Sequence, residues 1–519
     1  MRDFQLPGRS AAYGAKGMIA TSHPDAARVG LEILQEGGSA ADAALAASAV
    51  MAVAEPQNAG LGGDTFYIHC SAGGNVSAYN GSGRMPAAFD AGAAGAIGLE
   101  SVHSVTVPGA VEAMGRLHAD HCRMPLDRLL APAIALARDG WRVQPRVAWD
   151  WQYGQARLAG SPTAASFWGR AVQAGDRIAQ PALARTLQDI AVNGWRAFYE
   201  GETAQGIVAT LRGLGGFHRE EDFAAHQGEA VTPIRTQYRG LDILECPPNG
   251  QGMTVLLMLN ILSGLDVHKV WQNPADWAHL LAQVSQLAYA ERDRWICDPA
   301  FATIPLATLL SPRFADGLRA RLDPARAIAV DPVDEPEHKD TVYLACVDED
   351  GNAVSFINSI FTDFGSAIYD EASGILLHNR GASFAAQPDH PNAAAPGKRP
   401  MHTIIPGMAM KDGRPVMPFG VMGGHYQATG QVQLLSAMLD AGLDPQQAME
   451  LPRHFAFGGE LELERGVSQE VAATLAARGH AVRRAERPIG GGQAVWIDHQ
   501  RGVLVGGTDP RKDGYALGY

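Results

Sequence analysis

A threonine hydroxyl attacks a carbonyl only when a base stands within hydrogen-bond distance. One solution places the threonine at a chain terminus, where its own α-amine takes the proton. Thr341 is a candidate for that role. It follows DPARAIAVDPVDEPEHKD (residues 323–340), a Pro-, Asp- and Glu-rich stretch that reads as an exposed linker. It opens the β-rich run TVYLACV, which turns over Asp-Glu-Asp-Gly-Asn and returns as AVSFIN. Hydrolysis between Asp340 and Thr341 would free the amine. Strand propensity alone also accounts for a threonine here, so spacing leaves both readings open. Gly423-Gly424 is a second candidate: paired glycines bring backbone N–H groups close to a developing oxyanion, although a plain strand–helix turn uses the same pair.

Other chemistry-bearing residues point elsewhere. His338, His378, His402 and His425 have no metal-ligand spacing. GLGGD (60–64) precedes a strand instead of opening a helix, and no lysine follows, so it reads as a tight turn and not a phosphate loop. Asp348, Glu349 and Asp350 sit at the hairpin turn and read as solvated. The five cysteines are far apart without a C-x-x-C, which argues for free thiols over zinc or disulfides.

The elements that must hold Thr341 follow from periodicity. Residues 24–36 and about 40–54 read as helices, the second Ala-rich and ended by Glu55-Pro56. TFYIHC and VSAYNG read as a hairpin pair of strands. The middle, about 105–340, is mostly helical, broken by the strand–loop–helix DILECPPNGQGMTVLLMLNIL. From 341, strands dominate (TVYLACV, AVSFIN, GILLH, HTIIPGMAM, QAVWID), with QVQLLSAMLDAG and QEVAATLAARG as helices. TVYLACV is not amphipathic, which predicts burial on both faces between helix layers. The 519-residue chain, 46% hydrophobic and with a net charge of −13, has the composition of a soluble globular protein and disfavours nucleic-acid binding. The N-terminal residues lack the apolar run of a signal peptide and no stretch is long enough to span a bilayer, so a cytoplasmic location is expected.

DTVYLACVDEDGNAVSFINS resembles the nucleophile segment of the γ-glutamyltransferase family, N-terminal-nucleophile hydrolases made as one chain and split autocatalytically. ATSHPDAARVGLEILQEGGSAADAALAASAVMAVAEPQNAGLGGDTFYI, PPNGQGMTVLLMLNIL, KRPMHTIIPGMAM, MGGHYQATGQVQ and GGTDPRKDGYALGY resemble further blocks of that family in the same order. The resemblance implies an α+β fold, a four-layer αββα sandwich. It implies a large subunit of residues 1–340 and a small subunit of 341–519, partners in one heterodimer and possible partners in a dimer of heterodimers. Thr341 takes the nucleophile position, Ser359 that of a hydroxyl bonded to it, and Gly423 and Gly424 the oxyanion pair. Neither a metal nor an organic cofactor is implied, nor a nucleic-acid or membrane partner.

The sequence departs from the family where substrate is gripped. Ser82 aligns with the family's carboxylate-binding arginine, and Arg84 two residues on is a substitute. Arg380 and Ser383 replace the residues that grip an ammonium, His402 and Thr403 replace a serine pair, and Phe361 replaces an asparagine. A pocket that gains a guanidinium favours an anion. The expected substrate is therefore a small amide with a carboxylate and no α-amine. The pattern resembles a subgroup with oxamate amidohydrolase, glutathione hydrolase homologues and cephalosporin acylase-like members, and oxamate fits the electrostatics, as does a dicarboxylic acyl amide. The alternatives are a γ-glutamyl or glutathione hydrolase or transferase, and a binding protein that kept the fold without the chemistry.

Overall fold

The computed structural model describes Gln5 and residues 8–329 and 341–519. Asp340, the residue before the expected cleavage point, lies outside them. Two seven-stranded sheets form the centre. In the first, the strand order is Ala516–Gly518, Met18–Thr21, Val342–Val347, Ala353–Ser359, Asp64–Cys70, Val76–Asn80 and Glu229–Val231. In the second it is Ala12–Gly14, Val503–Thr508, Gly491–Asp498, Arg414–Met422, Gly407–Lys411, Leu241–Glu245 and Ile234–Tyr238. Neighbours in both sheets run antiparallel.

The period of two along Val342–Val347 explains the layers. Tyr343, Ala345 and Val347 point to the core between the sheets, where they meet Phe66, Ile68, Leu244, Met408, Met422 and Val495. Val342, Leu344 and Cys346 point outward, to a helical layer that includes Val29, Ile33, Leu45, Val50 and Val53. On the far side, Ile243, Met417 and Phe419 of the second sheet pack on Val255, Leu259, Leu281 and Val432 of the helices Gly252–Ser263, Pro274–Trp295 and Tyr426–Leu439. The stacking is helix, sheet, sheet, helix, the expected αββα sandwich. Every residue of Val342–Val347 is buried, as its unbroken apolar run predicts.

The helix Ala40–Ala54 is buried along its whole length between Pro24–Gln35, Leu126–Asp139 and the sheet. Its alanines allow that close approach, and a reciprocal cap between Ser39 and Asp42 starts it. The expectation for HTIIPGMAM needs correction. Only Gly407–Lys411 of that segment is a strand. His402 instead bonds through its backbone to Asn249 and Gln251, and Pro406 has no N–H for a ladder. Among the described residues no helix is long and apolar enough to cross a membrane.

Candidate active site

Thr341 heads the strand Val342–Val347. The hairpin register pairs Val342 with Asn358, which brings the next residues out, Thr341 and Ser359, side by side. The Thr341 hydroxyl donates to Ser359 Oγ at 3.3 Å. Ser359 Oγ also accepts from the Phe361 N–H at 2.9 Å and faces Arg380 Nη2 at 3.5 Å. Thr341 Oγ1 in turn accepts from Gln427 Nε2 at 3.3 Å. Gln427 is fixed because its Oε1 accepts the Ile405 N–H at 3.2 Å.

Arg380 begins the short turn Arg380–Ser383 and is fully buried. Its Nη1 donates to Thr403 Oγ1 at 2.9 Å, and its guanidinium lies 4.1 Å above the centre of the Phe361 ring. Among the described residues no carboxylate contacts it and its Nε has no hydrogen-bond partner. Burial pushes the guanidinium down to about 9, with Asp64 the opposing charge, so it is cationic at neutral pH. Phe361 holds φ +80°, a region where asparagine is enriched and a bulky side chain is an outlier.

Gly423 and Gly424 end the strand Arg414–Met422 and lead into the helix Tyr426–Leu439. Both have left-handed backbones, φ +121° and +58°, and a Cβ on Gly423 would meet Gly490 Cα at 2.9 Å. Glycine is thus required at this turn on steric grounds. Gln251 anchors it: Gln251 Nε2 donates to the Gly424 carbonyl at 3.1 Å and to the Thr403 carbonyl at 2.8 Å. Gln251 Oε1 accepts from the buried Arg292 at 3.1 Å.

Behind Thr403 lies a second polar layer. His402 Nε2 meets Asp64 Oδ2 at 3.0 Å, while Asp64 Oδ1 accepts the N–H groups of Gly83 and Gly109 at 3.1 and 3.0 Å. Burial and Arg380 push His402 down to about 3, so its imidazole is neutral. Burial raises the Asp64 carboxyl, but His378, the His402 hydrogen bond and Arg380 outweigh it and hold the group below the usual carboxylate range. His378 completes the layer, its Nδ1 3.8 Å from Asp64 Oδ2. The tight turn expected at GLGGD is what sets Asp64 here. A Cβ on Gly63 would meet the Ser359 carbonyl at 2.4 Å, so this turn packs directly on the nucleophile's neighbour.

The structure therefore gathers Thr341, Ser359, Phe361, Arg380 and Thr403 in one contact network, with His402 beside it and the glycine pair tied to it through Gln251 and Gln427. Ser383 turns away: its hydroxyl donates to the backbone carbonyls of Arg380 and Met401 at 2.8 and 2.6 Å. Arg84 is held elsewhere, by Asp298 at 3.2 Å and the Gly397 carbonyl at 3.1 Å, on the wall of a cleft of about 1300 Å³ that none of the five gathered residues lines. Ser82 is buried and accepts from Asn249 at 3.0 Å. Gln427, Gln251 and Asp64 were not anticipated. All three stand inside segments that carry the family resemblance, at Gly-rich turns (GLGGD, PPNGQG, GGHYQ) with no periodic signal of where a polar side chain points. Substituting Gln427 by methionine keeps the volume and removes the donor to Thr341. Any self-cleavage and turnover are expected to slow about tenfold, the scale of one hydrogen bond; a time course on a denaturing gel checks the first.

A sequence profile described as Gamma-glutamyltranspeptidase matches residues 26–519. The chain is 37% identical to the Glutathione hydrolase-like YwrD proenzyme of Bacillus subtilis (strain 168), covering 97% of this chain and 99% of that one. It is 33% identical to the Oxamate amidohydrolase proenzyme of Klebsiella pneumoniae subsp. pneumoniae, over 98% of this chain and 100% of that one. Its fold superposes on the crystal structure of cephalosporin acylase from Bacillus halodurans with a TM-score of 0.93 and 36% identity, covering 100% and 99% of the two chains. On this similarity and the architecture above, the chain belongs to the gamma-glutamyltranspeptidase family and is an amide-cleaving hydrolase of the N-terminal-nucleophile type.

Proposed function

We propose that the protein is cut before Thr341 and hydrolyses the amide of a small carboxylate-bearing substrate, with oxamate the best candidate. The observation that carries this is Arg380. A fully buried guanidinium without a carboxylate in contact, set on the serine that holds the nucleophile, calls for an anion from outside. In oxamate the carboxylate adjoins the amide carbon, so an anion on Arg380 brings that carbon close to Thr341.

In maturation, Thr341 Oγ attacks the Asp340 carbonyl and the acyl group shifts from nitrogen to oxygen. Water then hydrolyses the ester, leaving the Asp340 carboxylate and a free Thr341 amine. In turnover, that amine takes the hydroxyl proton as Oγ attacks the amide carbon. The N–H groups of Gly423 and Gly424 hold the oxyanion, a contribution of about 3–4 kcal/mol for each donor of this kind. The C–N bond breaks as the amine's proton passes to the leaving nitrogen, and ammonia departs. Water then attacks the acyl ester with the same amine as base, giving the dicarboxylate. Thr341 and the glycines supply the chemistry, while Arg380, Phe361 and Thr403 form the carboxylate end of the pocket. Neither Arg84 nor Ser383 is assigned a contact with substrate. The two fragments stay together as a heterodimer, in the cytoplasm.

A longer dicarboxylic acyl amide is the second reading, supported by the similarity to cephalosporin acylase, because its distal carboxylate suits Arg380 equally. A γ-glutamyl substrate is disfavoured because its ammonium would face a buried cation. Ammonia release from oxamate, measured beside γ-glutamyl anilide and glutaryl amide turnover, tests the proposal. Oxamate is expected to turn over and the anilide not. Fast anilide cleavage with no ammonia from oxamate would overturn it.

A further inference from the structure

The mechanism leaves Asp64 unused, although it is fully buried, ionised and close to the reacting groups. It stands directly across the strand pair from Ser359, in register with it. Three donors fix its carboxylate: the Gly83 and Gly109 N–H groups and His402 Nε2. His402 Nδ1 faces the Ile404 N–H at 3.4 Å, which leaves Nε2 as the nitrogen that carries the hydrogen. The imidazole between Asp64 and the pocket is therefore neutral. Two routes place Asp64 one step from Arg380. Its register partner Ser359 faces Arg380 Nη2 at 3.5 Å. Its partner His402 precedes Thr403, which accepts from Arg380 Nη1. The negative charge of Asp64 favours the cationic guanidinium.

We infer that Asp64 is a specificity residue that balances the charge of Arg380, so that the pocket holds a monoanionic amide and releases the dianion made from it. This rests on the reading of Arg380 as the carboxylate anchor. With Arg380 and Asp64 both ionised and the Thr341 amine in the free-base form that attack requires, the empty pocket is neutral overall. A monoanionic amide brings it to one negative charge, a load that bidentate hydrogen bonding from Arg380 can hold. Hydrolysis adds a carboxylate where the amide was, and the product brings it to two. In a low-dielectric site the second charge is repelled by Asp64. Without Asp64 the empty pocket would carry a positive charge, and the dianion would neutralise it and go one beyond. The acid thus weakens substrate binding slightly and product binding strongly, which favours turnover over affinity.

The test compares two anions of similar size on the processed protein by calorimetry: pyruvate, a monoanion in which methyl replaces the oxamate nitrogen, and oxalate, the dianion. Wild type is expected to bind pyruvate at least as tightly as oxalate. Asp64→Asn keeps an acceptor for the two glycine N–H groups, and it is expected to reverse that order, with oxalate gaining about tenfold or more over pyruvate. With oxamate as substrate, the variant should show a lower KM and a lower kcat, with strong inhibition by product. A purely structural loss would raise KM and leave the order of the anions alone. An unchanged order in Asp64→Asn overturns the inference while leaving the substrate reading intact. Wild-type protein that binds neither anion overturns both together. Should the variant fail to mature, the wild-type comparison decides alone: oxalate binding more than tenfold tighter than pyruvate overturns the inference, and pyruvate binding as tightly or tighter supports it.

Discussion

Replacing Thr341 by alanine is expected to leave one uncut chain on a denaturing gel, where the wild type is expected to run as two fragments. Amide turnover should fall by about 10⁴-fold or more, the scale of losing an activated hydroxyl nucleophile. Two geometric facts set this expectation. Thr341 is fully buried, and its hydroxyl is gripped from both sides, donating to Ser359 and accepting from Gln427. Alanine loses both contacts and the attacking atom together. Thr341→Ser separates attack from placement. It keeps the hydroxyl and loses the methyl that restricts χ1, so it should mature and turn over, more slowly. Intact-mass measurement of each purified protein reads the outcome. A wild type that stays uncut yet hydrolyses amides would remove the basis for a terminal-amine mechanism.

Arg380→Met should separate binding from folding. Methionine fills similar space, and the arginine has no carboxylate contact to forfeit among the described residues. Removing it also takes away a charge that helps hold the buried Asp64 ionised, and a buried charge left without its counter-charge costs stability. Asp64 keeps its Gly83, Gly109 and His402 donors, so the variant is expected to fold and mature with a modestly lower Tm. Its kcat/KM for a carboxylate-bearing amide should drop by about 10²–10⁴, because a bidentate charge-assisted pair is lost at about 1.5–3 kcal/mol for each bond. Arg380→Lys keeps the charge without the planar fork and should fall between. Steady-state kinetics beside thermal melting settles it. Equal loss on a neutral amide would show that Arg380 shapes the site without reading charge.

Much of the sandwich was legible because its signals are periodic. The strand run TVYLACV announced burial on both faces, and the helices of the middle third announced their own spans. Thr341 and Ser359 were legible through the family resemblance, since spacing alone leaves Thr341 open and says nothing of Ser359; the hairpin register is what puts the two side by side. The carboxylate end was harder. NGSGRM offered Ser82 and Arg84 as rival matches, and nothing in the order of residues decides between them. The chain there is squeezed: a Cβ on Gly83 would lie 1.6 Å from the Val107 carbonyl, and one on Gly81 2.5 Å from that of Thr65. That crossing carries Arg84 to Asp298. Asp64 and His402 are 338 residues apart and meet only because their strands and loops converge, a relation that no local pattern encodes.

The strand order has a mechanical corollary. In the first sheet, strands from before residue 340 and after it alternate: Ala516–Gly518, then Met18–Thr21, then the hairpin Val342–Ser359, then Asp64–Cys70. The second sheet is likewise stitched from both sides of that point, with Ala12–Gly14 at one edge and Leu241–Glu245 near the other. A nick before Thr341 would therefore release no piece. The halves would remain woven like two combs pushed together, and pulling them apart would mean ripping β ladders along both sheets. Assembly of the mature particle from separately made halves would have to thread strands into sheets that each half lacks. Synthesis as a single precursor would solve that problem, and it would make scission before Thr341 a one-way step in the life of the molecule.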